Sequence, residues 1–436
     1  MNRNPAAARE QAYFELQRKI QNLLINDLES SKGKLEMLTP AQAQREIEER
    51  LQRIIDTEVQ KQQLPLSKHD RLALFARCLA EITGNGPIEP LLRDENVTEI
   101  MVNGPHSIWI DHRKDGMVKT EIRFQDELHL RRIVERIVSQ IGRRVDEVSP
   151  MVDARLPDGS RVNIVIPPVA LNGTVMTIRK FGSKPLQPEN LIENGAISKD
   201  MMFFLQRCVE ARMNIIVAGG TNTGKTTLLN VLSVFIPGNQ RIITIEDSAE
   251  LQLQQDHVIR MESRPLNVEG KNQITIRQLV ANALRQRPDR IIVGECRGGE
   301  ALDMLQAMNT GHEGSMTTLH ANSAKDVVNR LEMLVLQAVE LPERAIHEQI
   351  LSAVNLIVHL KHFEDGSRKI DAIAEIRRGG AGGIEVVDIF EFERMGADAK
   401  GRVNGRLRPV ETPARLLDKM EELGYPVPPA IFNMKR

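Results

Sequence analysis

Aromatic residues are scarce: they make up 3% of the 436 residues, with one Trp and two Tyr. The cores must therefore be built from Ile, Leu, Val, Met and Ala. A channel that stacks bases on aromatic rings has little to work with. Cysteine is scarce too. Cys78, Cys208 and Cys296 lie far apart with no CxxC spacing, which excludes a disulfide framework and a zinc module and points to isolated buried thiols in a reducing compartment. No charge of one sign dominates: 58 basic and 59 acidic residues leave a net charge of -1. The chain as a whole offers no field for a polyanion, and no nucleic acid is expected as a partner. Long apolar runs are missing as well. Residues 215–218 are typical of the longest, far below the roughly 20 residues a membrane helix needs. Met1 to Glu10 lacks the apolar stretch of a signal peptide. The expectation is a cytoplasmic protein without a transmembrane segment, able to attach peripherally to a membrane complex.

What is present is enough for ordinary globular cores: hydrophobic residues reach 41%, and the length suggests roughly two to three domains. Residues 1–35 are polar and rich in Asn, Gln and Arg, and are expected to form a flexible segment. Thr39-Pro40 reads as a helix start, followed by Ile47, Leu51, Ile54, Ile55 and Val59 at helical spacing, with Leu64-Pro65 as the stop. Ser67 can cap a second helix. Residues 36–92 thus form a small helical module. Strand-like segments follow at 98–102, 107–111 and 118–124, then a helix over 128–141, then strands at 160–166 and 175–179. This predicts an α+β domain over 93–181. Gly182-Ser183-Lys184-Pro185 opens a linker, 182–190. From residue 191 helices alternate with short apolar strands at 213–218, 241–245, 290–293 and 315–319, as buried parallel strands do. Segments 354–360, 370–376 and 384–390 extend the sheet. The fold class is α/β for 191–436.

Within that domain, Gly219-Gly220-Thr221-Asn222-Thr223-Gly224-Lys225-Thr226 matches G-x-x-x-x-G-K-[ST], with a strand before it and an apolar helix from Thr227 after it. Glycines permit a tight loop whose backbone N–H groups surround phosphates, and the helix N-terminus adds its positive dipole end. Gly220 to Thr227 are the candidate nucleotide contacts. Lys225 should reach the β- and γ-phosphates, and the Thr226 hydroxyl should ligate Mg²⁺. ATP and Mg²⁺ are the expected ligands. A strand ending in Glu246-Asp247 places a carboxylate where such sheets carry chemistry, able to activate water. The apolar strand 290–293 ends in Gly294-Glu295, the form of an acid that holds Mg²⁺ directly or through water. His312 and His320 flank the strand at 315–319, and both are candidates for sensing the γ-phosphate.

These four segments resemble the Walker A, Asp box, Walker B and His box of the type II/type IV secretion ATPase superfamily, which includes VirB11-like, GspE-like and pilus motor ATPases. Residues 86–104, Arg155 to Asn163 and Thr177 to Phe181 resemble parts of that family's N-terminal domain. Arg297-Gly298-Gly299-Glu300 and the helical region at the start resemble the CpaF/TadA branch of Flp (tight-adherence) pilus systems. The resemblance implies a RecA-like P-loop domain preceded by a PAS-like α+β domain, a homohexamer with nucleotide between its two domains, and a membrane platform protein as partner. It makes Glu246 the acid that polarises water, Glu295 the Walker B acid, and Arg161 and Arg179 the arginines that compensate phosphate charge, with Glu250 as a further acid. Two other readings stand beside the pilus or secretion motor: a nucleic-acid translocase on the same fold, and a nucleotide-dependent scaffold without turnover.

Overall fold

The computed structural model describes residues 5–31, 38–62, 66–113, 115–140, 143–181, 185–266, 271–380, 383–397 and 401–432. It divides into two units, Met1–Ser183 and Lys184–Arg436. The helix stop expected at Leu64-Pro65 and the linker residues 182–184 lie outside the described residues.

Among the described residues the N-terminal unit begins with α1 (Pro5–Ser30), α2 (Pro40–Gln62) and α3 (Lys68–Thr83). For residues 5–30 the flexible segment expected over residues 1–35 is corrected by α1, and residues 1–4 and 32–35 lie outside the described residues. Its Leu16, Ile20 and Leu24 recur every four residues, so they form one stripe among polar neighbours. That stripe is fully buried against Leu51, Ile55, Val59, Leu74 and Cys78. Average polarity hid a period that packing exploits. Ser67 caps α3 in a reciprocal box with Asp70.

After the short α4 (Glu89–Arg93) come β1 (Val97–Asn103), β2 (Ile108–His112), β3 (Gly116–Lys119), α5 (Glu127–Ser139), β4 (Met151–Arg155), β5 (Arg161–Val165) and β6 (Val175–Arg179). The six strands form one antiparallel sheet in the order β3-β2-β1-β6-β5-β4. Leu130, Ile133, Val134 and Ile137 of α5 pack on its inner residues Ile100, Val102, Ile164 and Ile178. The helical module is tied to this sheet. His129 Nε2 lies 2.7 Å from Glu81 Oε2, and Arg136 donates to the Glu81 and Gly84 carbonyls at 2.9 and 2.6 Å.

The C-terminal unit opens with α6 (Pro188–Glu193), so residues 188–190 of the expected linker are helical instead, started by Pro188 at the first position. Then follow α7 (Lys199–Glu210), β7 (Ile215–Gly219), α8 (Lys225–Ser233), β8 (Ile242–Glu246), β9 (Val258–Glu262), α9 (Ile276–Ala283), β10 (Arg290–Cys296), α10 (Glu300–Asn309), β11 (Met316–Leu319), α11 (Asp326–Leu336) and α12 (Glu343–Ala353). The unit closes with β12 (Leu356–His362), β13 (Arg368–Arg378), β14 (Ile384–Ala397), β15 (Val403–Pro409) and α13 (Ala414–Glu422).

Nine strands form one sheet, β15-β14-β13-β12-β7-β11-β10-β8-β9. The six from β12 to β9 are parallel, and β13 to β15 are antiparallel additions. Alternate residues of β7 face opposite layers. Ile215 and Val217 pack with α7 and α8, whereas Ile216 and Ala218 pack with α9 to α12. Burial on both faces explains why these strands read as continuous apolar runs. All six parallel strands end on one edge, where such a sheet places ligands. The three cysteines are buried, and burial pushes the Cys78 and Cys296 thiols up to about 12.

Candidate functional site

The phosphate loop springs from the buried strand β7 at Gly219, whose φ is +153°. A Cβ there would lie 2.5 Å from the Leu360 carbonyl oxygen, so only glycine fits beside β12. Gly224, with φ +96°, is the N-cap of α8. Lys225, Thr226 and Thr227 form the first turn of that helix, whose N–H groups have no partner within it. Thr221 and Asn222 are exposed at the loop tip, and the Thr223 hydroxyl donates to the Gly220 carbonyl at 3.0 Å. Lys225 is buried, its ammonium donating to the carbonyls of Gly219 (3.1 Å) and Gly220 (2.8 Å). Burial lowers its pKa from the ordinary lysine value, and the Glu295 charge opposes that fall.

Glu246 ends β8 and is 3% exposed. Its Oε2 accepts from the backbone N–H groups of Glu250 (2.7 Å) and Leu251 (2.9 Å). Glu250 thus contributes its amide here. The other oxygen, Oε1, is buried and has no hydrogen-bond partner among the described residues. Burial raises the Glu246 pKa, and the two N–H groups pull it back. Its neighbour across the sheet is Gly294, where a Cβ would stand 2.8 Å from Glu246 Cγ. A glycine inside an otherwise apolar strand was the signal for this close approach.

Glu295, near the end of β10, pairs through Oε2 with Arg297 at 2.6 Å, and its Oε1 lies 2.9 Å from His320 Nε2. The same Nε2 is 3.4 Å from the Lys225 ammonium. Burial and then Lys225 lower the His320 pKa below the ordinary value, and Glu295 opposes that fall. An ammonium only donates and an ionised carboxylate only accepts. A neutral Nε2 therefore serves Lys225 when bare or Glu295 when protonated, one at a time. The Thr318 hydroxyl fixes β11 to β10 here, donating to the Gly294 carbonyl at 2.7 Å. A cavity of about 310 Å³ opens beside Gly220 and His320, bounded by Asn322, Asp326 and Arg330.

The fold thus brings the loop, Glu246, Glu295 and His320 to one edge of one sheet. It does not bring His312 there. His312 precedes β11 and lies at the opposite end of that strand, its carbonyl accepting from Ser315 Oγ at 2.6 Å. Arg161 and Arg179 belong to the N-terminal unit. They are direct partners across β5 and β6, and Arg155 and Glu99 continue the same row on β4 and β1. Arg179 pairs with Glu99 at 2.9 Å. The pattern reading named Arg155 only as the start of a segment resembling the family's N-terminal domain, and it passed over Arg368, which bonds Asn222 in the phosphate loop.

Residues 81–379 match the family model described as "Type II/IV secretion system protein". The chain belongs to the type II/IV secretion system protein family. It is an ATPase of that family. A Mycobacterium tuberculosis protein named for conjugal transfer is 37% identical over 334 residues, 75% of this chain and 94% of that one. The type IV secretion system protein VirB11 of Bartonella henselae is 32% identical over 324 residues, 66% of this chain and 90% of its own. The pilus retraction motor PilT, solved with bound ADP, shares the fold at 18% identity and a TM-score of 0.50, covering 77% of this chain and 86% of its own. The stretch matching the secretion family takes in the loop, both acids, His320 and both arginines, and leaves α1 and α2 outside. Among the described residues no helix is long and apolar enough to cross a membrane.

Proposed function

We propose that this ATPase is a motor of pilus assembly or secretion, working as a homohexamer against an inner-membrane platform protein from the cytoplasmic side. We place it nearest the Flp/Tad branch, with a RecA-like C-terminal unit and a PAS-like α+β sheet before it. The observation that carries the reading is the convergence of Lys225, Glu246, Glu295 and His320 on the carboxyl edge of the six parallel strands. The relatives' names support the machine: conjugal transfer, type IV secretion, pilus retraction.

In this reading Gly220 to Thr227 wrap the phosphates with backbone N–H groups, and Lys225 turns from the Gly219 and Gly220 carbonyls to the β- and γ-phosphates. Glu246 takes a proton from the attacking water at its unpartnered Oε1. The Thr226 hydroxyl and Glu295 carboxylate form an all-oxygen donor set suited to Mg²⁺, which when bound neutralises phosphate charge. His320 responds to the γ-phosphate: once the anion draws the Lys225 ammonium away, Nε2 no longer accepts from it. Arg161 and Arg179 compensate the charge that grows on the transferred phosphoryl group.

The test is the mass of the particle with a non-hydrolysable ATP analogue, together with ATP turnover with and without single-stranded DNA. A six-subunit particle and DNA-independent turnover are expected. Strong DNA stimulation, or a particle that stays monomeric, overturns the proposal.

A further inference from the structure

The tip of the phosphate loop is held from outside by a residue far away in sequence. Asn222 has φ +59°, a left-handed conformation that asparagine tolerates better than most residues but still resists. Arg368 clasps it. The Arg368 Nε donates to the Asn222 carbonyl at 2.8 Å, and an Nη donates to the Asn222 Oδ1 at 2.9 Å. Backbone and side chain are thus gripped by one planar fork, a geometry a lysine cannot reproduce.

The base of this clamp is rigid. Arg368 is the first residue of β13 and pairs in register with His362 at the end of β12, the strand whose Leu360 carbonyl crowds Gly219. In the turn between them, Asp365 accepts from the Ser367 N–H at 2.9 Å, from the Ser367 hydroxyl at 2.6 Å and, on its other oxygen, from the Val403 N–H at 2.6 Å. The β12–β13 hairpin is thus tied to the start of β15 through Asp365 and to the loop through Arg368.

Holding the Asn222 carbonyl has a geometric consequence. In a planar trans peptide the carbonyl and the following N–H point in opposite directions. With the Asn222 oxygen turned to Arg368, the Thr223 N–H must point away from Arg368. A loop of Gly, Thr and Asn without this anchor samples many orientations of that peptide, and nucleotide affinity falls with the fraction of competent loops. We propose that Arg368 is the positioning residue of the phosphate loop, clasping Asn222 so that the Asn222–Thr223 peptide is set in advance for the phosphates. The inference rests on the reading that residues 219–226 carry the nucleotide.

The experiment measures affinity for a fluorescent ADP derivative, and KM and kcat for ATP, on the full chain. Arg368→Ala weakens binding and raises KM by about tenfold, as loss of charge-assisted hydrogen bonds does, and leaves kcat within about twofold. Arg368→Lys recovers part of the affinity. In an Asn222→Gly chain, which takes φ +59° freely and has no side-chain oxygen, Arg368→Ala costs less than it does in the wild type. Wild-type affinity in Arg368→Ala overturns the proposal. So does a loss confined to kcat, or a penalty of equal size in the Asn222→Gly chain. Should Arg368→Ala fail to fold, the lysine variant decides: affinity below wild type at an unchanged kcat supports the clamp, and affinity equal to wild type overturns it. Lys225→Ala separates the two readings. If it binds nucleotide as the wild type does, the phosphate-loop reading itself fails and takes this inference with it; if it loses binding while Arg368→Ala keeps it, only the clamp fails.

Discussion

A buried carboxylate with one satisfied oxygen is unstable when ionised, and Glu246 is such a group. Burial disfavours its charged form and raises its pKa, so its contribution to stability is present only while it is protonated and is lost as pH rises through the raised value. If Glu246 is the proposed general base, it must be ionised to act, so the acid limb of kcat falls at a higher pH than an ordinary carboxylate would give. Glu246→Gln keeps an oxygen for the Glu250 and Leu251 N–H groups and removes the charge. It is expected to slow ATP turnover by about 100-fold or more while raising the melting temperature at pH 8. That gain shrinks as the pH is lowered through the raised pKa. Turnover against pH and thermal melting at several pH values check both halves. A variant less stable than the wild type at pH 8 would remove burial as the cause of the shift.

Elements differ in how openly their sequence declares them. In α1 the neighbours Leu23 and Leu24 are chemically identical, yet Leu24 is fully buried and Leu23 is 38% exposed. Leu24→Ala is therefore expected to cost about 2–5 kcal/mol of helical-module stability, and Leu23→Ala less than about 0.5 kcal/mol. Denaturant unfolding of the two variants measures the contrast, and equal losses would mean α1 does not dock as described. The parallel strands β7, β8, β10 and β11 were legible because both faces are buried and their runs are almost wholly apolar. The strands missed were β4, β9 and β15, each at the edge of its sheet. An edge strand is half wet and charged, as Val258–Glu262 with its Arg260 and Glu262 illustrates. Its sequence lacks the signal on which a strand assignment relies. The segment expected at 118–124 fails the same way, pairing only at Gly116–Lys119 on the outer edge.

At the scale of the whole molecule, the proposed function sets the arginines of the N-terminal sheet and the phosphate loop of the C-terminal unit to one reaction. If Arg179 stabilises charge that develops only in phosphoryl transfer, Arg179→Ala lowers kcat with little change in nucleotide affinity. Steady-state turnover and ADP binding, measured side by side, check this. Equal losses in both would make it a ground-state contact. The Arg179–Glu99 pair must open for that role, and its exposed position makes opening cheap, since such pairs contribute about 0–1 kcal/mol.

The chain's local order determined the phosphate loop by itself, because a strand, a glycine turn and a helix N-terminus are contiguous and each follows from its own residues. It likewise placed Glu246 and Glu295 at strand ends. Only the tertiary structure decided what those residues touch. Gly294 makes room for Glu246, His320 stands between Lys225 and Glu295, and Arg368 grips Asn222 from 146 residues away. Periodicity reports which face of an element is buried. It carries no information about which distant side chain arrives there, and that pairing, set by sheet order and register, builds the site.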